Sequence, residues 1–515
     1  MSKCPSPTFI VELPIRVSHS ESQTMLRKFE FARQLHNATL GSALGQLQQL
    51  RQDPDWKRAR LMPKGQARSE LFRTLDRKYR LTEYDLHAVI AKHRQGSGRQ
   101  AELGINECQK IASHVYQAIH RYKLGLGGRP RFKSSRRGLR SLEGKTNKTG
   151  LKFNIEKSVL SWCKQHYPVI IDKRDEYLQR ALQKDEVSVE FKKIKYCRLV
   201  RRNLKGRERF YLQLILEGRA PVKHVYASTE ERLSIDPGPQ AIAVFSPVWV
   251  GKIKVAPGAA PNERKIRNLQ RSMDRSLRQN NPDCYDSNGT IKAGVEFKRT
   301  KGYEKRANLL REWHRQAVAT RRCQHGQLVN LLLSLAGDIR IEKNSWKAFQ
   351  RGHFGKSLGK SAISGFIEQL KSKAESAGLK VTEVSPYRLK LSQYDPYSGQ
   401  YRKKSLKERW HQLGQSQEWV QRDVFSALLL HCADLQQQRH IPTEAIRVLE
   451  GAKQLLRDAG YVVKCKPSSN GECSAQPFAS EPPATTPEKV RLEIFCGSGD
   501  SYLRTSEEET LQRSG

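Results

Sequence analysis

The chain has 515 residues, 37% of them hydrophobic, which excludes a wholly disordered polymer and exceeds one ordinary core, so roughly two or three domains are expected. Lys and Arg number 93 against 52 Asp and Glu; the net charge of +41 draws polyanions and makes nucleic acid the leading partner. No apolar run of about 18 residues and no secretory leader pattern occurs, so no membrane partner is expected and the chain reads as soluble and cytoplasmic.

Residues 7–17, TFIVELPIRVS, alternate apolar and polar positions and predict an opening strand within residues 1–18. Residues 19–130 carry helical patterning rich in Arg and Leu and predict a helical insertion. The junction that follows, GLGGRPRFKSSRRGLRSLEGK, is basic: residues 121–145 hold nine Lys or Arg against the single acid Glu143. Its glycines and polar residues predict a flexible segment, in which Arg129, Arg131, Lys133, Arg136 and Arg137 are candidates for phosphate contact. Residues 131–226 return to strand signals in GLKFNI, YPVIID, VSVEFKKIKYCRLV and ERFYLQLILEG. A small antiparallel sheet or β-barrel completed by the opening strand is expected there.

Residues 227–450 predict a mixed α/β domain. RLSID, AIAVFS and VWVGKIKVA read as a three-strand meander. A helical hairpin insertion spans 262–335. Its first helix places Ile266, Leu269, Met273 and Leu277 on one stripe and lines another face with Arg264, Arg267, Arg271, Arg275 and Arg278, a second candidate phosphate surface. GDIRIEK then reads as a fourth strand, followed by a helix and the strand LKVTEVS in crossover order. After a tyrosine-containing loop, WVQRDVFSALLLHCADLQQ reads as a helix with Asp423 in its first turn. Residues 465–515 shift to Ser, Pro, Glu and Thr and predict a separate, disordered tail.

A meander that passes into a crossover makes its first and fourth strands neighbours, so Asp236 and Glu342 should project from the same end. The closing helix should bring Asp423 across. Three packed carboxylates repel one another and are tolerable when divalent cations share them. Hard oxygen donors suit Mg²⁺ or Mn²⁺, and a pair of such ions cuts phosphodiesters. Glu383 on the neighbouring strand and Asp395 in the loop are the next candidates. Ten cysteines without any C-x-x-C pair fit reduced thiols, and no structural zinc is expected.

The strings RLSIDPGPQAIAVF, RNLQRSMDRSLRQNNPDCYDSNGTIKAG, GDIRIEKNSWK, KLSQYDPYSGQYRKKSLKERWH and WVQRDVFSALLL resemble, in order, successive motifs of the TnpB family of transposon-encoded proteins, which are related to type V CRISPR effectors. The segment GRPRFKSSRR is similar to the basic stretch those proteins carry before their barrel strands. The resemblance implies a ribonuclease-H-like (RuvC-like) nuclease domain beside an amino-terminal β-barrel lobe with a helical insertion. It further implies a prokaryotic, nucleoid-associated, RNA-guided DNA endonuclease. Its metal ligands and catalytic acids would be Asp236, Glu342 and Asp423, and its partners a guide RNA and double-stranded target DNA. Two alternatives are a transposase acting on transposon-end DNA and a nuclease-inactive RNA-guided binding protein. One departure stands out: many relatives carry a four-cysteine zinc ribbon where residues 387–422 hold no cysteine. The loop 387–420 therefore reads as a ribbon remnant held by packing, with a lid as the other possibility.

Overall fold

The opening strand β1 (Thr8–Pro14) buries Phe9, Val11 and Leu13 and leaves the residues between them more open, as alternation along a half-buried strand requires. It begins a computed structural model that describes residues 7–182, 193–221, 231–259, 263–351, 354–405, 408–414 and 417–464. The expected tail 465–515 and the VSVEF part of one expected strand lie outside the described residues. The described residues divide into two compact units. The first lies within Met1–Tyr226, Gly258–Asn330 and Ser372–Gly378; the second lies within Ala227–Pro257, Leu331–Lys371 and Leu379–Gly515.

In the first unit β1 leads into α1 (His19–Gln52), α2 (Pro54–Leu61), α3 (Gln66–Lys78), α4 (Glu83–Gly96) and α5 (Ile105–Lys123). A capping box starts α1: the Glu21 backbone N–H donates to the Ser18 hydroxyl at 3.3 Å, and the Ser18 N–H donates to the Glu21 carboxylate at 2.7 Å. Next come β2 (Ser141–Glu143), β3 (Lys152–Asn154), β4 (Val159–Trp162), β5 (Gln165–Pro168), α6 (Glu176–Leu182), β6 (Ile194–Leu204) and β7 (Arg207–Glu217). The antiparallel sheet β1-β7-β6-β2 sets Leu13 opposite Leu212 and Val11 opposite Leu214, and these side chains pack with Phe29 and Phe210 in one core.

The expected barrel is corrected here: among the described residues this sheet is open, with β1 and β2 at its edges, and β3-β4-β5 form a separate three-stranded sheet. The physical reason is the brevity of β2. Its three residues end at Gly144 and cannot carry a hydrogen-bond ladder round to β1, whose end meets the small sheet only through the Ile15–Val169 bridge.

The chain then enters the second unit with β8 (Arg232–Pro237), β9 (Ala241–Ser246) and β10 (Trp249–Lys254). Two long helices, α7 (Glu263–Asn280) and α8 (Lys301–Leu335), intervene before β11 (Asp338–Glu342). There follow α9 (Trp346–Arg351), α10 (Gly355–Ser361), α11 (Ile363–Ala377), β12 (Lys380–Val384), α12 (Pro386–Leu389), β13 (Trp410–Gln412), β14 (Trp419–Gln421), α13 (Arg422–Cys432), α14 (Pro442–Asp458) and β15 (Val462–Val463). The main sheet runs β10-β9-β8-β11-β12; β8 pairs antiparallel with β9 and parallel with β11, and β11 pairs parallel with β12.

Helix α13 is apolar on every side from Val424 to Leu430 apart from Ser426, and all of these residues are buried. It packs with Ala243, Phe245 and Val250 of the sheet in the core of this unit. The segment 387–420 is held by rings: Tyr394 stacks on His440 with centroids 3.7 Å apart, and His411 stacks on Phe425 of α13 at 4.8 Å. His440 is itself fixed by a 2.6 Å hydrogen bond between its Nε2 and the Leu389 carbonyl.

Candidate active site

Parallel pairing sets Asp338 against Arg232, Arg340 against Ser234 and Ile341 against Ile235; the next position in the same register sets Glu342 against Asp236. Side chains in register on neighbouring strands share a face. That face is the one under α13, because Asp236 is also in register with Ala243, which lies in the core that α13 shares with the sheet. Asp423 occupies the first turn of α13. The first strand, the fourth strand and the closing helix thus bring the three acids to one side of the sheet.

Their electrostatics follow from that placement. Burial, then the negative charges of Glu342 and Asp423, push the Asp236 carboxyl well above the ordinary carboxylate range. Burial also raises Glu342, against a hydrogen bond from Asn344. Asp423 goes the other way: burial pushes it up, but Lys252, Gln421 and Arg422 outweigh that and hold it below its usual value. The Lys252 ammonium lies 2.5 Å from Asp423 Oδ2, and Arg422 Nη2 lies 3.5 Å from Oδ1. Among the described residues no three His, Cys, Asp or Glu side chains form a ready-made cage for a metal ion. The donor set nonetheless fits one: three carboxylates, no soft ligand, and repulsion at Asp236 that a hard divalent cation relieves.

Several supporting side chains were not singled out by sequence reasoning. Asn344, two residues beyond Glu342, donates its amide to the Pro237 carbonyl at 3.0 Å and to Glu342 at 3.4 Å, tying the ends of β8 and β11 together. Gln421 caps α13, accepting from Val424 N at 2.8 Å and donating to Asp423 at 3.2 Å. Lys252 is in register with Ala243, as Asp236 is, so a row of Lys252, Ala243, Asp236 and Glu342 crosses four strands. Arg340, only 8% exposed, donates to the carbonyls of Leu430, His431 and Ala433 at 3.2, 3.0 and 2.7 Å. It fastens the C-terminus of α13 to the strand that ends in Glu342. The available signals were proximity in sequence for Asn344 and Gln421 and strand parity for Lys252 and Arg340.

The rival acids are placed elsewhere. Glu383 is in register with Ile341, so it faces away from Glu342 and pairs with Lys371 at 2.6 Å. Asp395 is a turn residue, accepting from Tyr397 N at 3.1 Å and from the Ser398 hydroxyl at 2.9 Å.

No family model matches the chain, and no curated protein matches it. Among solved structures it is similar to a Cas12f1–sgRNA–target DNA complex, at 10% identity over 82% of this chain and 98% of that one, with a TM-score of 0.42. It is also similar to a CRISPR-Cas12f ternary complex, at 12% identity over 81% and 82% of the respective chains, with a TM-score of 0.24. Both likenesses are loose, and neither decides the chemistry of the site.

The basic candidates divide. Arg129, Arg131, Lys133, Arg136 and Arg137 are all exposed, and among the described residues none of them sits in an ion pair. Within this junction the backbone at Lys133 is fastened to α1: Asn37 exchanges two hydrogen bonds with Lys133, at 2.8 and 2.9 Å, and Arg33 donates to the Lys133 carbonyl at 2.9 Å. On α7, Arg264, Arg267, Arg271 and Arg275 are exposed opposite the Ile266 stripe. Arg278 differs. It pairs with Asp274 at 3.0 Å, donates to the Gly289 carbonyl at 3.3 Å and covers the Tyr285 ring, so it holds the following loop and is less free for phosphate.

Proposed function

We propose that the chain is a divalent-metal-dependent nuclease of the ribonuclease-H-like, RuvC-like kind that cuts DNA under the guidance of a bound RNA. One observation supports the nuclease part above all others: Asp236 and Glu342 directly follow the paired residues Ile235 and Ile341 of neighbouring parallel strands, and Glu342 and Asp423 both lie close enough to raise the Asp236 pKa. A buried carboxylate raised by two neighbouring negative charges is what a hard cation stabilises. A bound pair of Mg²⁺ ions would supply activation of the attacking water and neutralisation of the leaving 3′ oxygen. In the chain itself, the three acids would hold the ions, and Asn344 and Gln421 orient Glu342 and Asp423 through hydrogen bonds. Lys252 neutralises Asp423 by pairing with its Oδ2.

The RNA-guided part rests on the ordered TnpB-like motifs and on the charge of +41, which suits a protein gripping two nucleic-acid strands. Base pairing then reads the sequence, while the protein holds the heteroduplex through its backbone. Origin in a transposable element belongs to the same reading.

The test is to purify the protein with its bound RNA and add double-stranded DNA matching that RNA, with Mg²⁺ or with chelator. Cleavage is expected only with Mg²⁺ and is lost in Asp236→Ala, Glu342→Ala and Asp423→Ala. Cleavage that survives Asp236→Ala removes the acids from the reaction. RNA-free cutting at transposon ends would make the chain a transposase, and RNA-dependent binding without cutting would make it a targeting protein.

A further inference from the structure

We propose that Phe132 is a stacking platform for one unpaired nucleobase, flanked by Arg129, Arg131 and Lys133 as phosphate contacts. The proposal rests on the nucleic-acid partner named above and is independent of the three acids.

Phe132 is 57% exposed, an unusual state for a phenylalanine in a segment so firmly held. The hydrogen bonds from Asn37 and Arg33 to the next residue, Lys133, fix the backbone that carries the ring. The ring lies over Gly41 of α1, where a Cβ would come 3.9 Å from it, so one edge is supported while much of its surface stays open. Beside it is an open cavity of about 580 Å³ lined by Leu44, Gly128, Arg129, Pro130, Arg131 and Phe132. That volume falls within the range of small-ligand sites. The three cations along the same stretch are exposed and outside any ion pair among the described residues.

An exposed aromatic ring on a tethered backbone, among unpaired cations, is the combination that holds single strands. Every base offers a π-face to the ring, and the cations follow the phosphodiester backbone. In a duplex the bases are stacked on one another and cannot reach the ring without unstacking, so the site discriminates for single strands. Because Asn37 and Arg33 hold the backbone at Lys133, less backbone freedom remains to be lost there on binding. The shared chemistry is an unpaired base on a phosphodiester, which either a guide RNA or a displaced DNA strand presents.

The test titrates full-length protein, freed of nucleic acid, with short fluorescein-labelled single-stranded RNA, single-stranded DNA of the same sequence and the matching duplex, at moderate salt. Phe132→Ala should weaken single-strand binding roughly tenfold, Phe132→Trp should retain it, and duplex binding should be unchanged. Phe132→Leu keeps an apolar contact over Gly41 but lacks the ring, and should behave like the alanine variant. The strand whose affinity falls further identifies the natural source. Ultraviolet cross-linking of an oligonucleotide carrying 5-iodouracil should give adducts within residues 129–133. Single-strand affinity that is unchanged in Phe132→Leu, an equal loss on duplex, or adducts only elsewhere overturns the proposal. Running the series in an Asp236→Ala background separates the two readings: a failed nuclease assignment leaves this result standing, and failure here leaves metal-dependent cleavage intact.

Discussion

The acidic site of the second unit and the basic segment 129–137 of the first are opposites in sign and alike in one respect. Among the described residues each holds charges outside any ion pair, Asp236 and Glu342 in the one and the five cations in the other, although Asp423 is paired with Lys252. Other charges are paired within the chain: Lys123 with Asp76 at 2.6 Å, Lys371 with Glu383 at 2.6 Å, and Arg202 with Glu12 through two bonds of 2.6 and 2.7 Å. Carboxylates crowded without a cation, as at Asp236 and Glu342, carry a cost to stability that a bound ligand can offset. The two exceptions also differ in how they are tolerated. The cations stand in water, where like charges are screened, and the acids are packed under α13, where they are not.

If that contrast is right, the largest effect belongs to Asp236→Asn. Cleavage should fall by roughly 10⁴-fold, the scale seen when one member of an interdependent catalytic set is removed. Stability in chelator should rise. The folded chain favours the protonated form of Asp236, so ionising it costs stability once the pH exceeds the usual aspartate value, and a neutral amide removes that cost. Thermal melts of both proteins with chelator and with Mg²⁺ check this: the variant should melt higher without metal and should gain less from adding it. A variant that melts lower under both conditions would show that Asp236 is compensated after all.

Next in size is Arg340→Met. Three carbonyls at the end of α13 lose their donor, which should cost about 2–4 kcal/mol as a shift in the urea midpoint. Because Arg340 touches no reacting group, its loss should lower metal affinity through misplacement of Asp423 and Glu342, and Arg340→Lys should restore part of it. No equivalent loss is expected from exposed cations such as Arg271.

Much of this was legible in the sequence, for reasons that particular residues show. RLSID and GDIRIE announce strands through their apolar positions, and the crossover order alone makes them neighbours; parity then puts Asp236 and Glu342 on one face. The run VFSALLL announces a fully buried helix, which leaves its first turn as the place for a charge. What was hidden depends on partners remote in the sequence. Arg340 reads as an exposed strand residue until the carbonyls of α13, some ninety positions later, surround it. The segment at Lys133 reads as flexible because its glycines and serines are visible in the text, whereas the Asn37 amide that holds it is not. Closure of the first sheet turned on the length of β2, the least readable property of a strand.

The interior of the second unit offers a sharper version of the contrast through His431. It is 8% exposed, and burial, followed by the charges of Arg232 and Arg340, depresses its pKa to about 4. A further positive charge beside Arg232 and the buried Arg340 should be poorly tolerated here. The unfolded chain binds this proton near the ordinary value of 6.5 and the folded chain only near 4, so between those values the unfolded state holds more protons and stability falls as the pH drops. The loss is at most on the order of 3 kcal/mol. Urea titrations from pH 7.5 to 5 should show a decline in the wild type that is reduced in His431→Gln; equal slopes would mean that the histidine is not the responsible group.

The smallest effect is the most direct probe of the distinction between paired and unpaired cations. Arg131 and Arg202 carry the same side chain, but Arg202 is committed to Glu12 and Arg131 is not. Arg131→Ala should leave the urea midpoint within about 0.5 kcal/mol of wild type. It should reduce the slope of log affinity against log salt by about one, as expected when one phosphate contact is removed. Arg202→Ala should do the reverse. Glu12 keeps Gln213 as a donor at 2.7 Å, so the stability cost is at most about 1 kcal/mol for this half-exposed pair, and the salt slope should not move. Anisotropy titrations at several salt concentrations distinguish the two outcomes. Equal slope changes would mean that Arg202 leaves its carboxylate when nucleic acid arrives, and that pairing in the free chain does not mark which cations belong to the fold.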